Sequence, residues 1–172
     1  MKRWFFIVSL LFFSSCVFQS KPVTQPYPWN FVKRPAEILK GVVKCSVYCS
    51  NGTNVSGKAV VKVDSNKALV KVYGPAGVYG GKIVMRNGEV FADENLSSFA
   101  KYLYSPKQLK SILTGYIYGK SYKIITPYTL RISFGRLKET YMYGAEGIKK
   151  VVISDGTCNL VIKPVKVIEE KK

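Results

Sequence analysis

The sequence predicts a mainly β domain with one helical insert: a meandering antiparallel sheet, curled so that amphipathic helices cover its apolar side. Three observations predict it. From Val42 onward apolar and polar residues alternate with period two. Glycine, proline and Asn-Gly or Asp-Gly pairs interrupt the alternation at short intervals, as hairpin turns do. In residues 95–115 alone the apolar spacing lengthens to three and four, which is the helical period.

The N-terminal segment is of another kind. Lys2 and Arg3 precede an apolar stretch, Trp4 to Phe13, and then Ser14-Ser15-Cys16. As a helix that stretch reaches only about 15 Å, roughly half of a bilayer's hydrocarbon core. Positive, apolar and small residues in that order form an export signal. Its end on Cys16 resembles the lipobox of bacterial lipoproteins, in which the cysteine is lipidated and becomes the first mature residue. The expected organisation is a signal peptide over 1–15, a lipidated Cys16 with an extended tether over 16–34, and a folded domain over 35–172. Pro22, Pro26 and Pro28 give the tether its extended character. A cysteine carrying two or three acyl chains is held on a membrane almost permanently. Val17 stands where an aspartate would retain such a protein at the inner membrane under the enteric sorting rule. The expected location is therefore the outer membrane, facing the periplasm.

Composition narrows the function. The chain has 172 residues, with 27 basic against 10 acidic. Cleavage would remove Lys2 and Arg3, leaving 25 basic residues against 10 acidic ones and a net charge of +15. Export removes nucleic acid as a partner, and the basic residues lie spread along the strand runs rather than in one block. They read either as a solvated surface or as attraction to anionic headgroups and acidic envelope partners. Histidine is absent. That removes Ser-His and Cys-His nucleophile pairs and the common zinc sets. The acidic residues are scattered apart from Asp93-Glu94, expected in a turn or cap, and Glu169-Glu170. No enzyme activity, catalytic residue, metal or cofactor is expected. Besides Cys16 there are Cys45, Cys49 and Cys158. The first two lie on one strand face about 13 Å apart, too far for a bridge. At most one disulfide is expected, from Cys158 to either Cys45 or Cys49, the alternative being buried thiols.

Within the domain, Arg34 to Leu39 reads as a short helix with Pro35 in its first turn, stopped by Gly41. Strands follow. Val43, Cys45, Val47 and Cys49 oppose Lys44, Ser46 and Tyr48; Ala59, Val61 and Val63 oppose Lys58, Lys62 and Asp64. Ala68, Val70 and Val72 alternate with Lys71 and Tyr73, and Ile83 and Met85 with Lys82 and Arg86. Asn87-Gly88 signals a tight hairpin to Glu89–Ala92. After the insert come 122–126, 128–134, 137–143, 148–154 and 157–168, about ten strands in all. In the insert, Leu96, Phe99, Ala100 and Leu103 share one helical stripe. Ser105-Pro106 restarts a helix with Leu109, Ile112 and Leu113 inward, Lys107 and Lys110 outward, and Gly115 as its stop.

A lipidated cysteine, a tether, an N-terminal helix, strands, a helical insert and more strands together resemble the LolA/LolB lipoprotein-carrier superfamily, LolB most of all. Gly74-Pro75-Ala76-Gly77 falls where that family has an Asn-Pro-Leu-Gly-like loop after its third strand. Leu109 to Gly115, LKSILTG, is similar to the family's Trp-x-x-Gly-like helix end. The resemblance implies an incomplete antiparallel β-barrel whose lidded interior accepts acyl chains. It also implies a non-enzymatic receptor that takes lipoproteins from a LolA-like periplasmic carrier and inserts them into the outer membrane. Phe99, Leu103, Leu109, Ile112 and Leu113 would form the lid, with Val61, Val70 and Ile83 bounding the cavity. Pro75, Ala76, Val78 and Tyr79 would form a membrane-contact loop. Two other readings fit the residues: an envelope scaffold whose filled core binds protein, and a carrier of another lipid.

Overall fold

The computed structural model describes residues 32–119 and 121–170. In them the period-two runs form β1 (Ile38–Cys49), β2 (Asn54–Val63), β3 (Lys67–Tyr73), β4 (Tyr79–Arg86), β5 (Glu89–Ala92), β6 (Lys123–Thr126), β7 (Thr129–Phe134), β8 (Leu137–Gly144), β9 (Gly147–Ser154) and β10 (Cys158–Glu170). All ten join in one antiparallel sheet of order β5-β4-β3-β2-β1-β10-β9-β8-β7-β6. The sheet curves without closing, so the mainly β, incomplete-barrel expectation is what the chain forms. Each half is a run of hairpins, and β1 pairs with β10 where the halves meet. The Asn87-Gly88 turn takes positive φ at both residues, 55° and 83°, the backbone a two-residue hairpin needs.

The insert has to travel from one edge of the sheet, β5, to the other, β6. It does so across a single face, through a 3₁₀ turn (Glu94–Leu96), α1 (Ser97–Ala100) and α2 (Pro106–Thr114). Ser105 caps α2, its hydroxyl accepting from the Gln108 backbone N–H at 3.1 Å. Gly115 ends the helix in the left-handed region, at φ 78°. Leu109, Ile112 and Leu113 turn inward onto strand residues such as Leu39, Val61, Val63, Ile83, Leu160 and Ile162, forming one core.

Two local expectations fail. Residues 34–39 are not helical: 32–37 are irregular, and Ile38 and Leu39 already belong to β1. Gly41 continues the strand, facing Val167 on one side and Val61 on the other. Pairing on both flanks satisfies more backbone groups than one isolated helical turn could. A Cβ at Gly41 would stand 2.7 Å from Leu113 Cδ2, so the glycine admits α2 rather than stopping a helix. Lys110 is the second failure. It is buried, and its ammonium donates to the backbone carbonyls of Ala36 and Glu37. Burial pushes its pKa down. The helix sits deep enough for both flanks of its apolar stripe to be covered. Asp93 and Glu94 open the 3₁₀ turn, as their pairing suggests, with no side-chain cap bond from Asp93. Its carboxylate accepts from the Lys82 backbone N–H at 2.9 Å.

The signal peptide, Cys16 and most of the tether lie outside the described residues. No described helix is long and apolar enough to cross a membrane. No three described His, Cys, Asp or Glu residues are grouped to hold a metal ion.

Candidate functional site: the lidded apolar face

Alternation brings Val61, Val70 and Ile83 to the face that α1 and α2 cover. Phe99, Leu103, Leu109, Ile112 and Leu113 meet them from above. All eight line one apolar space of about 40 Å³, together with Val43, Cys45 and Ile162 among others. That volume holds only a few waters. Pockets that enclose an organic ligand run to about 300–1,000 Å³, so beneath α2 the interior is nearly full.

Beside it lie two further spaces. One, of about 200 Å³, is bounded by Cys45, Gly57, Val72, Leu96 and Phe99 and reaches Gly74 and Pro75. The other, of about 140 Å³, is bounded by Val47, Cys49, Val55, Phe99, Tyr102 and Cys158. Phe99 lines all three, while Cys45 and Val72 are shared by the first two and Val55 by the last two. A larger cleft of about 440 Å³ lies between the chain leading into β1 and α2, but it is lined by Arg34, Glu37, Lys107 and Lys110 and has a polar character unsuited to acyl chains.

The two parts of the lid differ. In α2, residues 108–113 are all buried; α1 buries none of its side chains fully. Polar clasps hold the ends. Asp155, in the β9–β10 turn, accepts from the Lys101 ammonium at 2.7 Å and from the Tyr102 hydroxyl at 3.0 Å. That ammonium and the backbone N–H groups of Cys158 and Thr157 hold the Asp155 carboxyl far below the ordinary carboxylate range. At the start of α2, Gln108 donates from Nε2 to Glu139 Oε1 at 2.6 Å and to the Tyr102 carbonyl at 2.9 Å. Glu139 is completely buried, and its second oxygen accepts from the Tyr141 hydroxyl at 2.7 Å. Burial, and then the neighbouring Glu139, push the Tyr141 and Tyr104 hydroxyls upward. Beyond α2, the Tyr143 hydroxyl donates to the Gly115 carbonyl at 2.7 Å.

Sequence reasoning missed the Glu139 clasp, although the signal was present. Leu137, Glu139, Tyr141 and Tyr143 share one face of a period-two run, and that face is the buried one. A carboxylate at an inward position requires donors, and only the fold reveals which.

The loop joining β3 to β4 carries Pro75, Ala76 and Val78 at the surface, and Tyr79 opens β4 beside them, also exposed. Val78 is 69% exposed and Tyr79 52%. The loop is held by the Gly74 N–H on the Val78 carbonyl and by an edge-on contact between Tyr73 and Tyr79. Cys49 stands opposite Cys158 in the β1–β10 register, and the two are joined as a disulfide. Cys45 keeps a free thiol, pushed up by burial.

No family model matches this chain. No curated protein matches it in sequence. The likeness found is structural. A LolA superfamily protein from Nitrosomonas europaea is similar at 10% identity over 82% of this chain and 90% of its own, with a TM-score of 0.45.

Proposed function

We propose that the chain is an outer-membrane lipoprotein, anchored through Cys16 and facing the periplasm, whose lidded apolar face accepts acyl chains. It receives lipoproteins from a LolA-like carrier and inserts them into the membrane, without catalysis or cofactor. The observation that carries this reading is that one side chain, Phe99, on the weakly buried part of the lid, borders all three spaces of the apolar face. Displacing Phe99 joins the spaces into a groove along β1 and β2. One end of that groove lies at Gly74 and Pro75, beside exposed Val78 and Tyr79. An acyl chain of about 14 methylenes gains roughly 11 kcal/mol on burial, at about 0.8 kcal/mol each. That offsets release of the Asp155 clasp and of one aromatic ring.

Native mass spectrometry of protein purified from membranes tests it. Wild type should carry lipid, and Phe99→Ala should retain more of it while losing about 1–3 kcal/mol of stability. If neither form retains lipid at any stage, the acyl-acceptor reading fails. A second reading then gains, that of a scaffold with a filled core. It is favoured by the 40 Å³ left beneath α2, and it calls for dry protein in both forms.

A further inference from the structure

The lysines that look dispersed along the sequence are not dispersed in the sheet. On the face opposite the helices, strand register aligns them in three neighbouring rows. The first runs Lys163, Lys44, Lys58, Tyr73, Tyr79 from β10 to β4. The second runs Lys166, Val42, Val60, Lys71, Lys82, and the third Ile168, Lys40, Lys62, Leu69, Val84, with Phe91 beyond it on β5. Eight lysines, all exposed, thus occupy a patch about 19 Å across five strands and about 14 Å along them. Lys44 is flanked on both sides by lysine, and directly opposed like charges destabilise a sheet. No carboxylate stands in these rows; Glu170 meets Lys40 at their border.

The geometry points to this face as a docking surface for an anionic phospholipid bilayer. Charge complementarity calls for a negative partner, and the other residues of the rows decide which kind. Between the lysines stand only apolar side chains and two tyrosines. Val60, Ile168, Phe91 and Tyr79 are each more than 40% exposed. Lysine stems and apolar groups that sink together beneath a layer of charge suit a headgroup region. A protein partner needs about one directional hydrogen bond per 100–200 Å², and these rows hold no Asn, Gln, Ser or Thr. Nor do the rows hold arginine, the side chain that reads phosphate in a fixed bidentate geometry. The first row ends at Tyr73 and Tyr79, so the exposed loop with Val78 lies at the rim of the patch. The inference does not rest on the acyl-acceptor reading, since a protein with a filled core would dock in the same way.

Lysine acylation footprinting of the full chain tests it, mixed with vesicles of phosphatidylglycerol and phosphatidylcholine or of phosphatidylcholine alone. The eight lysines should react severalfold more slowly on the anionic vesicles, and 0.5 M salt should abolish the difference by screening the surface charge. The Lys44→Gln/Lys58→Gln/Lys163→Gln variant should lose most protection at the other five. Lys107→Gln/Lys123→Gln/Lys149→Gln, with the same charge lost at exposed sites outside the rows, should keep it. The first variant should melt no lower than wild type, because it removes opposed charges. Equal reactivity on both vesicles overturns the proposal. So does stronger protection by polyglutamate or double-stranded DNA than by anionic vesicles, which would assign the face to an acidic protein or a nucleic acid.

Discussion

Replacing Glu139 with leucine should cost about 2–4 kcal/mol, and the structure says where the loss arises. The carboxyl is fully buried and accepts from the Tyr141 hydroxyl and from Gln108 Nε2. Gln108 keeps the Tyr102 carbonyl as a partner, so it loses one bond of two. Tyr141 is itself fully buried and would be left with an orphaned hydroxyl. An unsatisfied buried donor costs about 1–3 kcal/mol and a lost hydrogen bond about 1 kcal/mol. In a domain of this size the melting temperature should fall by roughly 5–15 °C. Urea unfolding of a double-mutant cycle separates this account from a simple packing defect. Tyr141→Phe alone should cost about 1–3 kcal/mol, because it strands an oxygen of Glu139. In the Glu139→Leu background the same change should recover part of the loss, because it removes the orphaned hydroxyl. Additive losses in the double variant, or a Glu139→Leu loss below about 0.5 kcal/mol, would refute the clasp.

Asp155 sets an acid limit on the lid. Its folded pKa lies below the ordinary value of 3.8, so its contribution is complete above that value and fades as pH falls beneath it. The stability difference between wild type and Asp155→Asn, measured by urea unfolding, should therefore be full at pH 6 and shrink as pH is lowered from 4 to 2. The Cys49–Cys158 bridge joins residues 109 positions apart; Cys49→Ala/Cys158→Ala should lose about 2–5 kcal/mol in chemical denaturation. Fractionation of cells expressing Cys16→Ala should find the protein soluble in the periplasm, or still carrying its signal. Processed Cys16→Ala protein in the membrane fraction would refute the anchor.

What the sequence made legible follows from how local each signal is. Period-two runs and turn pairs depend on near neighbours, so the strands, the Asn87-Gly88 hairpin and the Ser105 and Gly115 ends of α2 could be read directly. The Arg34–Leu39 stretch carries helix signals, but two distant strands claim its end, and no local rule weighs that. Lys110 has the spacing of an outward residue and is buried because the chain entering β1 passes over it. The eight lysines of the outer face are spread over more than a hundred residues, and register alone gathers them. For the site, the apolar stripes were readable, whereas the place of Phe99 between three spaces depends on how much room the fold leaves around it.

Strand β10 comes last in the chain yet stands in the middle of the sheet. Each half can form from hairpins between sequence neighbours, but the seam joins segments more than a hundred residues apart and should be the slow step of folding. During synthesis the first five strands exist without it. Until the thirteen residues of Cys158–Glu170 arrive, β1 presents an unpaired, valine-rich edge. Such an edge is a template for any other strand. A holding chaperone would have its best target there, and two unfinished chains would cross-pair there first.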